Sequence, residues 1–362
     1  MKMINNRYEI GGDKWLSKKK IDTVQSSNSF KPITFHSKNE LHLSNCRSAL
    51  RLIAEEISKH YTSSTILIPG FTCDTVFNPF LEYGFTVILY NIKSDFSVDW
   101  KDVKNKVKKY QPRVFLFHSY FGYPTVQYDL SEVLDAGVIV IEDYTQNLLS
   151  NFKRLASNYQ VGSIRKWFSI PDGGFLFGLS YNRSLVEDVD LVSQKIEAFD
   201  LKYRYLNGEA VDKGFFLEKL EHAKHTMALH KTIFKMSIIS ERLAADAPIQ
   251  IFKEQRRKNY IRLLAHLAKY PTITIPLGYP SEGIVPFMFP IFIKDRNGFQ
   301  NYLAKHNVYA TKLWNLPIDL RTFLSEETVD IYEHLLCFPI DEYYSEQDMD
   351  YIGKIVDQYF LD

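Results

Sequence analysis

Cysteine is scarce in this sequence, which contains only Cys46, Cys73 and Cys337 among its 362 residues. The three cysteines are far apart and odd in number, so the sequence predicts neither a disulfide framework nor a paired-cysteine metal site. An excess of one charge is also missing, because 44 Lys and Arg residues against 43 Asp and Glu leave a net charge of +1. This balance argues against the basic surface of a nucleic-acid-binding protein.

Long apolar runs are absent as well. No run approaches the roughly 18 residues that span a bilayer, and the opening MKMINNRYEIGGDKW lacks the apolar core of a signal peptide. We therefore expect a soluble, cytoplasmic protein with reduced cysteines and no membrane partner. No GxGxxG motif follows the first apolar strand, which argues against a dinucleotide-binding protein.

Aromatic residues are abundant, with 26 Phe and 23 Tyr, and the simplest interpretation is that they form large cores. A chain of this length predicts about two domains. We expect an amino-terminal arm over residues 1–40, a large domain over 41–250 and a small domain over 251–362.

Apolar strands and helices alternate between residues 44 and 150. Strands are predicted for the short apolar segments that end near Pro69, Ile92, His118 and Asp143. Helices are predicted for the amphipathic or capped segments 44–61, 72–84, 103–111 and 129–137. This alternation predicts an α/β fold with a mainly parallel central sheet flanked by helices. Residues 181–270 read as mostly helical, and 271–362 as a smaller α+β domain.

Polar residues stand at the predicted carboxyl ends of the strands, which is where parallel sheets bind ligands. Asp143 follows a buried strand, and a carboxylate placed there needs a partner. It could cap a helix, form a buried ion pair, or hold a protonated ring nitrogen. Gln146, three residues later, could contact the ring substituent beside that nitrogen.

The segment NCRSAL, residues 45–50, begins a predicted helix. Unpaired N–H groups at a helix start favour an anion, and Arg47 and Ser48 add a guanidinium and a hydroxyl suited to phosphate. The alternative is an ordinary capped helix with a surface arginine.

The segment VGSIRKWFSIPDGGFLF, residues 161–177, places Lys166 among apolar residues. A lysine sheltered by Ile164, Trp167 and Phe168 would be a nucleophilic amine able to form a Schiff base with an aldehyde. The alternative is a solvated surface lysine. In this interpretation the Ser163 hydroxyl is a further hydrogen-bond donor to the phosphate. Taken together, an anion cradle, a strand-end carboxylate and a sheltered lysine are the parts that a pyridoxal 5'-phosphate site requires.

From about residue 40 onward the chain resembles the DegT/StrS-type sugar aminotransferases, which are fold type I pyridoxal-phosphate enzymes. The resemblance rests on the following segments: NCRSAL, ILIPGFTCDTV, FHSYFGYP, IEDYTQNL, SIRKWFSIPDGG, QRRKNYIRLLAHL, VPFMFPIFI, LWNLP and FPIDEYYSEQDM. It implies an α/β fold with a smaller α+β carboxyl-terminal domain, and a homodimer whose site the partner subunit completes.

The resemblance also implies residue roles. Lys166 would be the lysine joined to the cofactor, Asp143 would pair with the ring nitrogen, and Gln146 would contact the ring hydroxyl. Phosphate would be held by Arg47, Ser48 and Ser163. Cys73 stands where the family commonly stacks an aromatic residue on the ring, so Phe71 or Tyr120 are alternatives for that contact.

The activity so implied is transfer of an amino group, with glutamate as the expected donor, to a keto-sugar nucleotide in amino-sugar or polysaccharide biosynthesis. Candidate substrate contacts are Arg165, His118, Trp167 and Trp314, and the alternative for each is a packing or surface residue. Two alternatives remain open: a dehydratase or racemase of the same fold, and a non-catalytic cofactor-binding relative. Dehydratases of the family type carry a histidine in place of the lysine, so Lys166 argues against them.

Overall fold

A seven-stranded sheet forms the centre of the computed structural model. The strands, in chain order, are β2 (Leu41–Leu43), β3 (Thr65–Pro69), β4 (Thr86–Tyr90), β5 (Val114–His118), β6 (Ile139–Asp143), β7 (Tyr159–Gly162) and β8 (Gly174–Phe177). Their spatial order is β2-β8-β7-β6-β5-β3-β4. The structure describes residues 9–26, 40–61, 64–125, 130, 134, 137–152 and 156–361.

The sheet is parallel over the five strands β7, β6, β5, β3 and β4. Strand β8 runs antiparallel to both of its neighbours, β7 and β2. In the parallel part, the ends of β5 and β6 are in register, so that His118 lies beside Asp143. The alternation of the sequence therefore predicted the α/β class, and the expected strand ends at Pro69, His118 and Asp143 are confirmed.

Helices α2 (Cys46–His60), α3 (Asp74–Glu82) and α4 (Trp100–Tyr110) connect or follow the parallel strands. The side chain of Asn45 caps α2 by accepting a hydrogen bond from the Ser48 N–H at 2.9 Å. One apolar face of α2, including Leu50, Ile53 and Ile57, is buried against the sheet. The helix predicted over 129–137 lies largely outside the described residues.

The middle of the chain is helical, as expected, with α5 (Val189–Leu206), α6 (Lys213–Leu229), α7 (Ile238–Ala245) and α8 (Ile249–Leu267). None of the helices in the part of the chain that the structure describes is both long and apolar enough to cross a bilayer.

The carboxyl-terminal part pairs β9 (Phe289–Phe292) with β11 (Leu335–Phe338) in a small antiparallel sheet. It also contains α9 (Arg296–Lys305), β10 (Val308–Tyr309), α10 (Glu326–His334) and α11 (Glu346–Leu361). A second apolar core lies between these elements and α8. The expected α+β character of this region is confirmed, whereas the exact domain boundaries stay predictions.

The amino-terminal segment is attached to the carboxyl-terminal part. Strand β1 (Ile10–Gly11) pairs in parallel with β10, and it is followed by α1 (Lys18–Gln25). The Gly11 N–H donates to the Tyr344 hydroxyl at 2.7 Å. The described part of the expected arm thus contains regular structure and packs against other parts of the chain, whereas its extent as a separate unit stays a prediction. Residues 1–8 and 27–39 of that arm lie outside the described residues.

Candidate active site

The candidate site is a cleft at the carboxyl ends of β3, β5 and β6. The start of α2, the start of α3 and the loop after β7 form its walls. The cleft is lined by Asn45, Cys46, Arg47, Leu50, Thr72, Cys73, Thr75, Val76, His118, Asp143, Thr145, Gln146, Ser163, Arg165, Lys166, Met227 and Trp314. Six of the seven residues predicted for the site therefore lie on one cleft, although they are spread over more than 100 positions of sequence.

Asp143 lies at the floor of this cleft and is only 3% exposed. Its Oδ1 accepts a hydrogen bond of 2.8 Å from the Thr145 N–H, so the loop that follows β6 fixes the carboxylate. The strand pairing puts His118 on one side of it and Val161 on the other. A fixed carboxylate at the end of a buried strand is suited to a cationic partner that enters from the open side.

His118 is a buried neutral neighbour of Asp143. Burial lowers its pKa to about 4, even though the charge of Asp143 acts in the opposite direction. Its Nε2 lies 3.4 Å from the Phe71 carbonyl oxygen, and its ring is 6.0 Å from the Trp314 ring at an interplanar angle of 15°. The imidazole is thus an uncharged packing surface at neutral pH and does not compete as a cation for Asp143.

The Gln146 side chain is oriented by a hydrogen bond from Phe121, whose backbone has an unusual conformation. Phe121 has a φ of 55°, a left-handed conformation that bulky residues rarely adopt. Its N–H donates to Gln146 Oε1 at 2.9 Å. Because the amide oxygen is bound in this way, the NH₂ group is the end of the buried Gln146 side chain that remains to donate to a ligand.

Lys166 ends the short 3-10 helix Ile164–Lys166 and is half-buried in the cleft wall. Its neighbours Ile164, Trp167 and Phe168 are 2% exposed or less, so they anchor the segment in the core. The expected apolar shelter of Lys166 is therefore present at its base, while its side chain borders the open cleft.

Two glycines determine where the lysine segment meets α2. The Gly173 N–H donates to the Ser44 carbonyl at 2.7 Å, and the Gly173 carbonyl accepts from the Arg165 N–H at 3.2 Å. A Cβ at Gly174 would lie 2.5 Å from the Asn45 carbonyl carbon and 2.6 Å from the Cys46 nitrogen. Only a glycine at position 174 lets β8 approach the beginning of α2 this closely.

The three residues predicted to donate hydrogen bonds to a phosphate differ in the contacts that they make. Ser163 is 3% exposed, and its hydroxyl has no hydrogen-bond partner among the described residues. Ser48 does not line the cleft, and its hydroxyl lies 3.3 Å from Asn45 Oδ1, so it belongs to the helix cap. Arg47 lines the cleft, but its NH1 donates to the carbonyls of Met227 and Ala228 at the end of α6.

The two cysteines of the cleft are thiols at helix starts. Cys73 precedes α3 and lies 3.1 Å from the Thr75 hydroxyl. Burial and the charge of Asp143 raise the pKa of Cys46 well above its usual value, so this thiol stays protonated. Phe71 and Tyr120, which we considered as ring-stacking residues, are at most 1% exposed and do not line the cleft.

Among the expected substrate contacts, Arg165, His118 and Trp314 line the cleft, but Trp167 does not. Trp167 is fully buried, and its ring packs against Phe287 at 5.0 Å. Sequence reasoning missed Thr72 and Thr145, because a threonine beside a strand end carries no signal of its own. Trp314 has a φ of 57°, and this left-handed conformation at the cleft is a further feature that the sequence did not indicate.

Comparison with known proteins shows the fold. No family model matches the sequence, and no curated protein matches it either. Solved structures do match along nearly the whole chain. The aminotransferase PseC of Helicobacter pylori, which is involved in the biosynthesis of pseudoaminic acid, is 14% identical, with a TM-score of 0.67 over 97% of this chain and 99% of that one.

Two other solved structures give similar values. The sugar aminotransferase CalS13 of Micromonospora echinospora is 14% identical, with a TM-score of 0.66 over 96% of this chain and 99% of that one. The GDP-4-keto-6-deoxy-D-mannose-3-dehydratase of E. coli, solved with bound hydrated PLP, is 14% identical, with a TM-score of 0.65 over 96% and 99%. The chain therefore has the fold that these sugar aminotransferases share with this dehydratase.

Proposed function

We propose that this protein is a pyridoxal-phosphate-dependent aminotransferase that transfers an amino group to a keto-sugar nucleotide. The observation that carries the proposal is that Lys166, Asp143 and Ser163 line one cleft, where the Ser163 hydroxyl has no partner among the residues that the structure describes. The solved structures of similar fold are named for sugar amination or for a keto-sugar reaction, which supports the same substrate class.

The residues of the cleft fit this cofactor. Asp143 is a buried carboxylate that matches a protonated ring nitrogen, and the Gln146 amide can donate to a ring hydroxyl. The Ser163 hydroxyl and the Thr72 hydroxyl are buried and lack partners in the part of the chain that the structure describes. Buried hydroxyls without partners are costly, so a ligand that hydrogen-bonds to them accounts for their position.

Bound pyridoxal phosphate supplies an aldehyde with which amines condense and a ring that takes up electrons from a substrate carbon. The Asp143 carboxylate would hold the ring nitrogen and favour its protonated form. Lys166, at the border of the cleft, would hold the aldehyde, and its Nζ would serve as general base and then general acid for the proton of the substrate carbon. Neutral His118 and the Trp314 ring, whose centroids are 6.0 Å apart, line the same cleft as Lys166 and Asp143.

Glutamate is the donor that we propose, and the acceptor is a keto-sugar nucleotide. We also propose a homodimer in which the partner subunit completes the wall of the cleft opposite Lys166. An aminotransferase is favoured over a dehydratase because position 166 is an amine, which can both bind the cofactor and move the proton.

The test is nitrogen transfer from ¹⁵N-glutamate. The protein loaded with pyridoxal phosphate should show a visible absorption band that glutamate bleaches, and it should then place ¹⁵N on a keto-sugar nucleotide, as read by mass spectrometry. Lys166→Ala should lose both the band and the transfer. Lys235→Ala, which removes an exposed lysine paired with Glu187, is the matched control and should retain both. Loss of water from the sugar without ¹⁵N uptake would identify a dehydratase instead.

A further inference from the structure

Arg165 lies in the wall of the candidate cleft, and its guanidinium Nε has no hydrogen-bond partner among the described residues. It directly precedes Lys166, and its backbone N–H is fixed to the Gly173 carbonyl at 3.2 Å. Its Nε is buried, although the residue as a whole is only half-buried. A buried guanidinium N–H left unpaired is costly, because no water replaces the missing acceptor.

The charges around Arg165 do not supply that acceptor. The strongest charge acting on it is another cation, Arg47, and burial together with this repulsion lowers its pKa. The carboxylates within its electrostatic reach are occupied. Asp172 accepts hydrogen bonds from Ser237 and Ser240, and Asp13 forms an ion pair of 3.0 Å with Lys224.

The polar groups near Arg165 in the cleft are hydrogen-bond donors. The Ser163 hydroxyl lies two residues earlier on the same segment, and it is buried without a partner in the described structure. The first turn of α2, at Cys46 and Arg47, faces the same cleft, and helix starts present N–H groups that lack intrahelical acceptors. The close approach of Gly174 to Asn45 keeps this turn against the lysine segment. The missing component at this end of the cleft is therefore a multivalent acceptor with negative charge.

We infer that Arg165 binds the phosphate group of the cofactor, together with the Ser163 hydroxyl and the first turn of α2. This inference rests on the proposed function and adds a cofactor contact to it. A planar guanidinium donates two parallel hydrogen bonds to phosphate, which a lysine does not do. Arg47, which the resemblance places on the phosphate, donates through NH1 to the carboxyl end of α6. Its Nε, like that of Arg165, is buried without a partner among the described residues, so Arg165 adds to Arg47 rather than replacing it. Arg165 would thus supply a guanidinium to the phosphate from the position directly before Lys166, the lysine that would react with the aldehyde.

The experiment compares two aldehydes that differ only in the phosphate. Dissociation constants of pyridoxal 5'-phosphate and of pyridoxal are measured by equilibrium dialysis for the wild type and for Arg165→Met. Arg165→Met should bind pyridoxal phosphate about 10- to 100-fold more weakly, the effect expected for loss of a charged hydrogen-bonded contact. Its affinity for pyridoxal should change less than threefold. Arg165→Lys should recover part of the loss, and inorganic phosphate should compete less well for the variant than for the wild type.

Three outcomes overturn the inference. Equal losses for both aldehydes would show a structural role, and unchanged affinities would show no role in cofactor binding. Unchanged cofactor affinities with a raised KM for glutamate would place the donor carboxylate at Arg165 instead. Arg204→Met, which removes an exposed arginine paired with Glu209, controls for net charge and should change neither constant. A wild type that binds neither aldehyde through Lys166 would refute the proposed function itself, whereas the ratio of the two constants tests Arg165 alone.

Discussion

The indole Nε1 of Trp167 donates a hydrogen bond of 2.8 Å to the carbonyl oxygen of Thr145. This bond joins the segment that carries Lys166 to the loop that carries Asp143. Thr145 also donates its N–H to Asp143 at 2.8 Å, and its hydroxyl accepts the Ser163 N–H at 3.1 Å. Thr145 therefore connects the expected carboxylate, lysine and phosphate-binding segments through three hydrogen bonds.

Trp167→Phe should loosen this connection while keeping an aromatic ring in the core. The Thr145 carbonyl would lose its buried donor, and we expect the free energy of unfolding to fall by about 1–3 kcal/mol. Pyridoxal phosphate should also dissociate faster, because Lys166 and Asp143 are then less firmly positioned. Chemical denaturation and the cofactor release rate check the two effects. Wild-type values for both would show that this bond does not organise the site.

Gly174→Ala should displace the beginning of α2. The added Cβ would lie 2.5 Å from the Asn45 carbonyl carbon, which is backbone and cannot rotate away. We expect a loss of stability of about 1–3 kcal/mol from overpacking and weaker binding of inorganic phosphate. Gly278→Ala is the control, since a Cβ there meets nothing within 4 Å. Equal thermal midpoints for the two variants would contradict this view of position 174.

Arg256→Met should be the most destabilising of the substitutions considered. Arg256 is fully buried, and it donates to Glu342 at 2.8 Å and to the Phe287 carbonyl at 2.9 Å. Its guanidinium also lies 4.8 Å from the Trp167 ring. Without Arg256, the carboxylates of Asp341 and Glu342 would share one cation, Lys14, at 3.5 and 4.0 Å. Breaking a buried ion pair in this way costs about 3–5 kcal/mol.

The matched control on the same helix is Arg262→Met, which breaks an exposed pair with Asp350. Exposed pairs contribute about 0–1 kcal/mol, so urea denaturation should separate the two variants clearly. Similar losses for both would mean that the network around Arg256 does not stabilise the fold.

His118 should make the protein less stable in mild acid. Burial lowers its pKa to about 4, whereas a histidine in the unfolded chain titrates near 6.5. At a pH between these two pKa values, the histidine is protonated in the unfolded chain but not in the folded one. The free energy of unfolding therefore decreases as the pH falls from about 6.5 towards 4. At pH 5 this loss should be on the order of 2 kcal/mol.

His118→Gln carries no titratable group and should lose less stability than the wild type between pH 7.5 and pH 5. Unfolding by urea at the two pH values gives the comparison, and identical losses would show that His118 is not buried as a neutral side chain. An NMR titration of His118 gives a second test of its pKa.

Sequence patterns predicted the parallel part of the sheet well, because strands buried on both faces read as uninterrupted apolar runs. The runs ending at Pro69, His118 and Asp143 are examples, and their ends coincide with the cleft. The edge strand β2 (Leu41–Leu43) and the short strand β7 were not predicted, since three or four residues leave too little pattern to distinguish a strand from a loop.

The sequence predicted which residue types come together on the cleft, but not the direction in which each side chain points. Lys166 and Asp143 were proposed because an amine and a carboxylate beside apolar runs are unusual; both line the cleft, and their roles stay predictions. Ser48 was expected on phosphate, but in the structure its hydroxyl is directed to Asn45. Trp167 was expected on substrate, but it packs under the lysine segment. In both cases the direction of one side chain decides the role, and no spacing rule contains that direction.

The most direct test of the central claim is to locate the cofactor on the chain. The protein is incubated with pyridoxal phosphate, reduced with borohydride, digested, and mapped by mass spectrometry. We predict one phosphopyridoxyl group, on Lys166, and its loss in Asp143→Ala at cofactor concentrations that saturate the wild type. A label on another lysine, or none on Lys166, would contradict the account.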